Sequence, residues 1–92
     1  MLDKIKEFKR KVEEVKETHP FADKIGRGSF SKLLVMANLA EMCIYSNTKV
    51  PAQDRNYFEG QATVGRYFSD WGLDWIATDY LEICEYIKHN NW

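Results

Sequence analysis

An all-α fold, a compact bundle of about four helices, is what this sequence predicts, and three observations carry the prediction. Apolar residues recur at helical spacing over four stretches, residues that turn the chain stand between them, and the connections are short, as a helical bundle requires. Ninety-two residues amount to one domain, so residues 1–92 are expected to form a single helical domain.

The first stretch, residues 2–18, is amphipathic. Ile5, Phe8, Val12 and Val15 are spaced three, four and three apart, which lines them along one face, and most of the rest is Lys, Arg and Glu. Glu7 and Lys11 stand one turn apart in the favourable orientation for an ion pair. His19-Pro20 ends the helix, because the residue before a proline avoids the α region. The stripe lasts only two heptads, too short for a coiled coil, so this helix must dock on its own domain or on a partner.

Residues 20–29 read as a loop, after which Ser29 or Ser31 is expected to cap a second helix running to about Tyr45. That helix is apolar nearly all round, with Phe30, Leu33, Leu34, Val35, Met36, Met42, Cys43 and Ile44 among its residues, and is expected to be central and buried. Asn38 and Glu41 are its polar exceptions; either Arg55 or Arg66 partners a buried carboxylate there, or one narrow edge of the helix is exposed, and both readings are favoured over a ligand pocket.

Residues 46–53, with Pro51, form a second loop. A third helix is expected from Asp54 or Asn56, where Asn56 and Glu59 resemble a capping box. Gly60 and Gly65 each cost about 1 kcal/mol relative to alanine in a helix. Two readings follow. Ala62 and Gly65 let a neighbouring helix come close, or residues 56–68 form a hairpin turning near Glu59-Gly60; the helix is favoured. Gly72 fits a helix-ending position and Asp74 the N-cap of a last helix carrying Trp75, Ile76, Tyr80, Ile83, Cys84 and Ile87. Asn90-Asn91-Trp92 reads as a short tail.

Composition excludes several classes of protein. With 45% hydrophobic and 29% charged residues, five Gly and two Pro, the chain is neither collagen-like nor wholly disordered. A net charge of -1 excludes a strongly basic nucleic-acid coat, and no direct nucleic-acid binding is expected. The start of the chain alternates charged and apolar residues, unlike a secretory signal, and its longest apolar run, residues 33–37, is far too short to span a membrane. Cys43 and Cys84 lie in apolar runs and read as buried, reduced thiols of a cytoplasmic protein.

Charge is unevenly placed. Residues 1–49 hold ten Lys and Arg against seven Asp and Glu, and residues 50–92 hold three against seven, which makes a front of +3 and a back of −4. Nine of the thirteen aromatics follow residue 50. This asymmetry suggests self-association, basic face to acidic face, with charge setting orientation more than affinity.

Few residues point to chemistry. His19 and His89 stand at element ends without a motif around them, and no nucleophile, base and orienting group come together in the sequence, so no catalytic residue is expected. Neither Cys-x-x-Cys nor His-Glu-x-x-His occurs, so no metal or cofactor is expected. Glu13, Glu14 and Glu17 form a Glu-Glu-x-x-Glu string, with Glu82 and Glu85 at a similar spacing later, and i,i+3 carboxylates can hold Mg²⁺. The string resembles that of the all-α nucleoside triphosphate pyrophosphohydrolases of the MazG type, which implies a Mg-dependent hydrolase as a weaker alternative. The closely following second carboxylate helix of that family is missing, and a solvated charged face is the simpler reading.

Two groups remain as binding candidates. Lys24-Ile25-Gly26-Arg27-Gly28-Ser29, followed by Lys32, is a glycine-rich turn opening onto a helix. Lys24, Arg27, Ser29 and Lys32 there suit a nucleotide or other phosphate compound, although P-loop spacing is absent. Tyr67, Asp70, Trp71, Asp74, Trp75 and Asp79 form an acidic aromatic cluster, the composition of a protein-binding hot spot. The favoured expectation is a non-enzymatic interaction protein that inhibits or regulates another protein, of the kind phages and mobile elements encode; a sequestering phosphate binder is the alternative.

Overall fold

The computed structural model describes residues 1–19 and 27–92. They form α1 (Leu2–Thr18), α2 (Arg27–Ser46), α3 (Ala52–Arg66), a 3-10 turn (Tyr67–Trp71) and α4 (Asp74–Asn90). This is the expected all-α four-helix bundle, with no strand among the described residues. The hairpin reading of residues 56–68 is overturned: they lie within α3 and the turn that continues it.

Local chemistry explains where each helix stops. His19 adopts ψ 130°, the extended conformation a following proline demands, and its N–H closes the last turn of α1 on the Val15 carbonyl at 2.8 Å. At the end of α2, Asn47 takes the left-handed conformation at φ 52°, and the Thr48 N–H returns to the Cys43 carbonyl at 3.0 Å. Gly72, at φ 77°, ends the 3-10 turn. There the Leu73 N–H meets the Phe68 carbonyl and the Gly72 N–H that of Ser69, both at 3.1 Å, completing a Schellman motif.

The helix starts differ from expectation. α2 begins at Arg27, so Ser29 and Ser31 lie inside it and do not cap it. α3 begins at Ala52 behind Pro51, whose fixed φ of −55° launches the first turn; Asn56 and Glu59 are interior residues and form no capping box. α4 starts at Asp74 itself, with Leu73 in the cap position.

α4 is the hub. It packs against α1, α2, α3 and the 3-10 turn, while α1 and α3 make little or no contact with each other. Ile5, Phe8 and Val12 of α1 are buried, and Phe30 of α2 stacks on Phe68 of the turn at 4.9 Å. The close approach expected at Gly65 is real, since a Cβ there would lie 3.4 Å from the Ala77 Cα of α4. α2 buries Phe30, Leu33, Met36, Ala37, Ala40 and Cys43, yet its apolar outer residues stay in solvent. Val35 is 56% exposed, Met42 65% and Tyr45 63%. An all-round apolar sequence has thus been buried on its inner side only.

The residues read as a tail form a clasp. Asn91 is buried, and its side-chain amide donates to the carbonyls of Cys43 at 3.2 Å and Thr48 at 2.9 Å, while its own carbonyl accepts from the Val50 N–H at 2.7 Å. The Trp92 ring packs edge-on to Phe58, Arg55 lies over it, and the Arg55 guanidinium donates to the Trp92 carbonyl. The chain end thereby pins the loop between α2 and α3. Among the described residues no helix is long and apolar enough to cross a membrane.

Candidate functional site

The acidic aromatic cluster is divided by the packing of α1. In a 3-10 turn, side chains three apart fall on one edge. Tyr67 and Asp70 accordingly share the outer edge, where Tyr67 is 69% exposed, while Phe68 is buried and Trp71 half-buried. Asp74, exposed in the first turn of α4, sits at the positive end of that helix.

Trp75 and Asp79 face the other way, into the contact with α1. The Trp75 ring meets Phe8 edge-on at 6.2 Å, and the Lys11 ammonium stands over it at 4.2 Å. Asp79 pairs with Lys4 at 3.4 Å and Lys11 at 3.9 Å, and Lys4 also reaches Glu82 at 2.9 Å. The hydrogen bond to Glu82, followed by the charge of Asp79, holds the Lys4 ammonium above its ordinary value. Tyr67, Asp70 and Asp74 are thus exposed on the turn and the start of α4, Trp71 is half-buried against the core, and Trp75 and Asp79 hold α1. Part of the pairing between basic front and acidic back takes place inside the chain.

Other expected partners also change. Glu7 is hydrogen-bonded by Arg10, which keeps its carboxyl below the usual range, and Arg10 also reaches Glu14 at 3.1 Å. Glu41 is met not by Arg55 or Arg66 but by Lys9 of α1, which bonds the Glu41 carboxylate at 3.2 Å and the Asn38 side-chain oxygen at 2.8 Å. This pair was not legible beforehand, because it joins two helices whose relative rotation only the packing decides.

Of the anion-binding candidates, the described ones, Arg27, Ser29 and Lys32, lie within α2. Lys24 lies outside the described residues, Arg27 and Gly28 are the first residues of α2, Ser29 is half-buried within the helix and Lys32 is exposed a turn further on. Glu13, Glu14 and Glu17 are exposed on α1, and among the described residues no three His, Cys, Asp or Glu side chains come together as a metal would require.

The described residues line clefts at the surface. One of about 380 Å³ is lined by Met1, Leu2, Asp3, Ile44 and Tyr86, another of about 270 Å³ by Arg10, Lys11, Glu14, Val15 and Trp75. Neither lining includes a Ser, Thr, Cys or His side chain. Compared with known protein families, curated proteins and solved structures, the chain matches none.

Proposed function

We infer that this chain works by binding another protein, as a small inhibitor or regulator, through the end of the bundle formed by Tyr67, Asp70, Trp71 and Asp74. The observation that carries the reading is the 69% exposure of Tyr67, held on a short turn whose neighbour Phe68 is locked in the core. A rigid backbone carrying a free aromatic ring lowers the ordering cost of binding. Tyrosine and tryptophan are the residues on which binding energy concentrates. The carboxylates beside them favour a partner whose apolar pocket is rimmed by Lys or Arg.

Capture of partners from a lysate of the source organism, read by mass spectrometry and then by titration of the captured protein, tests this. Tyr67→Ala should weaken capture about 30-fold, the 2 kcal/mol typical of a hot spot. Capture that survives simultaneous loss of Tyr67, Asp70, Trp71 and Asp74 would remove the reading.

A further inference from the structure

α3 is the helix least fastened by its own side chains. Of its fifteen residues only Phe58, Gln61 and Gly65 are buried, whereas α4 buries Ile76, Tyr80, Ile83, Cys84 and Ile87. Phe58, the one large apolar side chain of the three, is well held. Its carbonyl accepts from the Tyr80 hydroxyl at 2.6 Å, and its ring meets Trp92 edge-on at 6.2 Å. The weakness begins just after it.

Gly60 stands in mid-helix, where no atom lies within 4 Å of the place a Cβ would take, so it loosens the helix without a packing reason. The effect relative to alanine is roughly 2- to 5-fold in the helix equilibrium. Gln61 is 4% exposed, and its side-chain oxygen has no hydrogen-bond partner among the described residues. Such an orphaned buried amide costs roughly 5- to 150-fold. Gly65 fixes where the helix lies by its approach to Ala77, yet two small residues in contact bury little apolar area.

Beyond Arg66 the chain continues as a 3-10 turn, whose hydrogen bonds are poorer than those of an α-helix. Gly72, at φ 77° with open space around it, ends the stretch. Between Gly60 and Gly72 the only large side chain that is fully buried is Phe68, stacked on Phe30 at 4.9 Å.

We propose that residues 60–72 form a strap that opens as one unit, hinged at Gly60 and Gly72, while the rest of the bundle stays folded. Closed, the strap presents Tyr67 and keeps Phe68 in the core. Open, it brings Phe68 and Trp71 to solvent beside Tyr67 and Asp70, and so enlarges the aromatic surface at this end of the bundle. Local opening belongs to segments with few buried apolar contacts. The opening stands on the chain alone, and only its bearing on binding rests on the function proposed above. Loss of partner capture and loss of opening are therefore read by separate measurements.

Native-state hydrogen exchange of the whole chain, followed by NMR in rising but sub-denaturing urea, tests the strap. Hydrogen-bonded amides from Val64 to Trp71 should share one opening. They should be less protected than those of Ile83 to Ile87 by about 10-fold or more, the product of the Gly60 and Gln61 effects at their smaller values. Two variants separate opening of the strap from unfolding of the whole chain. Ile5→Val lies in α1, which makes little or no contact with α3 or the turn, and it removes buried volume that the closed and open forms both keep. It should lower protection in α4 about 5-fold and leave that of the strap unchanged. Gly60→Ala should raise protection in both regions roughly 2- to 5-fold, because residue 60 is unfolded in the open form and in the unfolded chain alike. Strap amides that are as protected as those of α4, or that lose protection with α4 in Ile5→Val, overturn the proposal.

Discussion

Against α3, helix α4 closes by shape, and against α1 it closes by charge around an apolar centre. On the α3 side Gly65 lets the Ala77 backbone come so near that a Cβ would sit 3.4 Å from it, and the Tyr80 hydroxyl, fully buried, donates to the Phe58 carbonyl at 2.6 Å. On the α1 side Phe8 fills the middle, while Lys4 and Lys11 reach across to Trp75, Asp79 and Glu82 at the edge. The centre of the α3 seam has room for a Cβ but not for a larger side chain and responds little to salt, the ion pair of Lys88 with Glu59 at 3.5 Å lying at its half-exposed rim. A seam rimmed by half-exposed ions tolerates substitution and weakens as salt rises. The same helix thus has one side that fixes the fold and one that is more easily altered.

The two glycines of α3 give the largest effect. Gly65→Leu should cost about 2–3 kcal/mol, because the side chain must push α4 away. Gly60, where a Cβ would meet nothing within 4 Å, should respond in the opposite direction. There Gly60→Ala removes backbone freedom from the unfolded chain and should stabilise by about 0.5–1 kcal/mol. Urea unfolding of both variants checks the pair. Equal losses at the two positions would mean that the approach of Ala77 is not tight.

This contrast marks how far the sequence could be read. The 3.6-residue period gave helix number and type. Single residues with local rules gave the ends: Pro20 for α1, Gly72 for the turn. Gly65 was open to two readings, because a glycine in a helix signals either close approach or a break, and only the identity of its neighbour separates them. Capping serines misplaced the start of α2, since serine is also tolerated inside a helix, as Ser29 and Ser31 are in one that begins at Arg27. The candidate site was half legible. Composition flagged Tyr67, Asp70, Trp71, Asp74, Trp75 and Asp79 together, but it carries no information on which of them α1 covers. Asn91 and Trp92 were missed because two asparagines at a chain end look like solvated tail. The signal present was Trp92 itself, since tryptophan is highly buried on average.

Tyr80 gives a smaller effect with a definite pH signature. Burial raises the phenol well above its ordinary value of 10.0, so the folded chain keeps it neutral where the unfolded chain would ionise it. Its contribution is complete below about pH 10 and is lost as pH climbs toward the raised folded value, at about 1.4 kcal/mol per unit. Tyr80→Phe should cost about 1 kcal/mol at pH 7 through the lost hydrogen bond. It should also flatten the decline above pH 10, so that near pH 12 the variant matches or exceeds the parent. Parallel curves for the two proteins from pH 9 to 12 would show that Tyr80 is not the group responsible.

The smallest effect belongs to the charged rim and tests the comparison from its other side. Lys11 lies 4.2 Å above the Trp75 ring and 3.9 Å from the Asp79 carboxylate. Lys11→Met keeps an unbranched stem over the indole but removes the positive charge. The loss should be about 0.5 kcal/mol at low salt, the usual scale for a half-exposed pair beside an aromatic face. In 1 M salt, where screening acts within about 3 Å, the loss should shrink, while that of Gly65→Leu should stay as it was. The two seams are then separated by one titration. If salt reduces both losses alike, or neither, the division of α4 into a shape-closed and a charge-rimmed side does not hold.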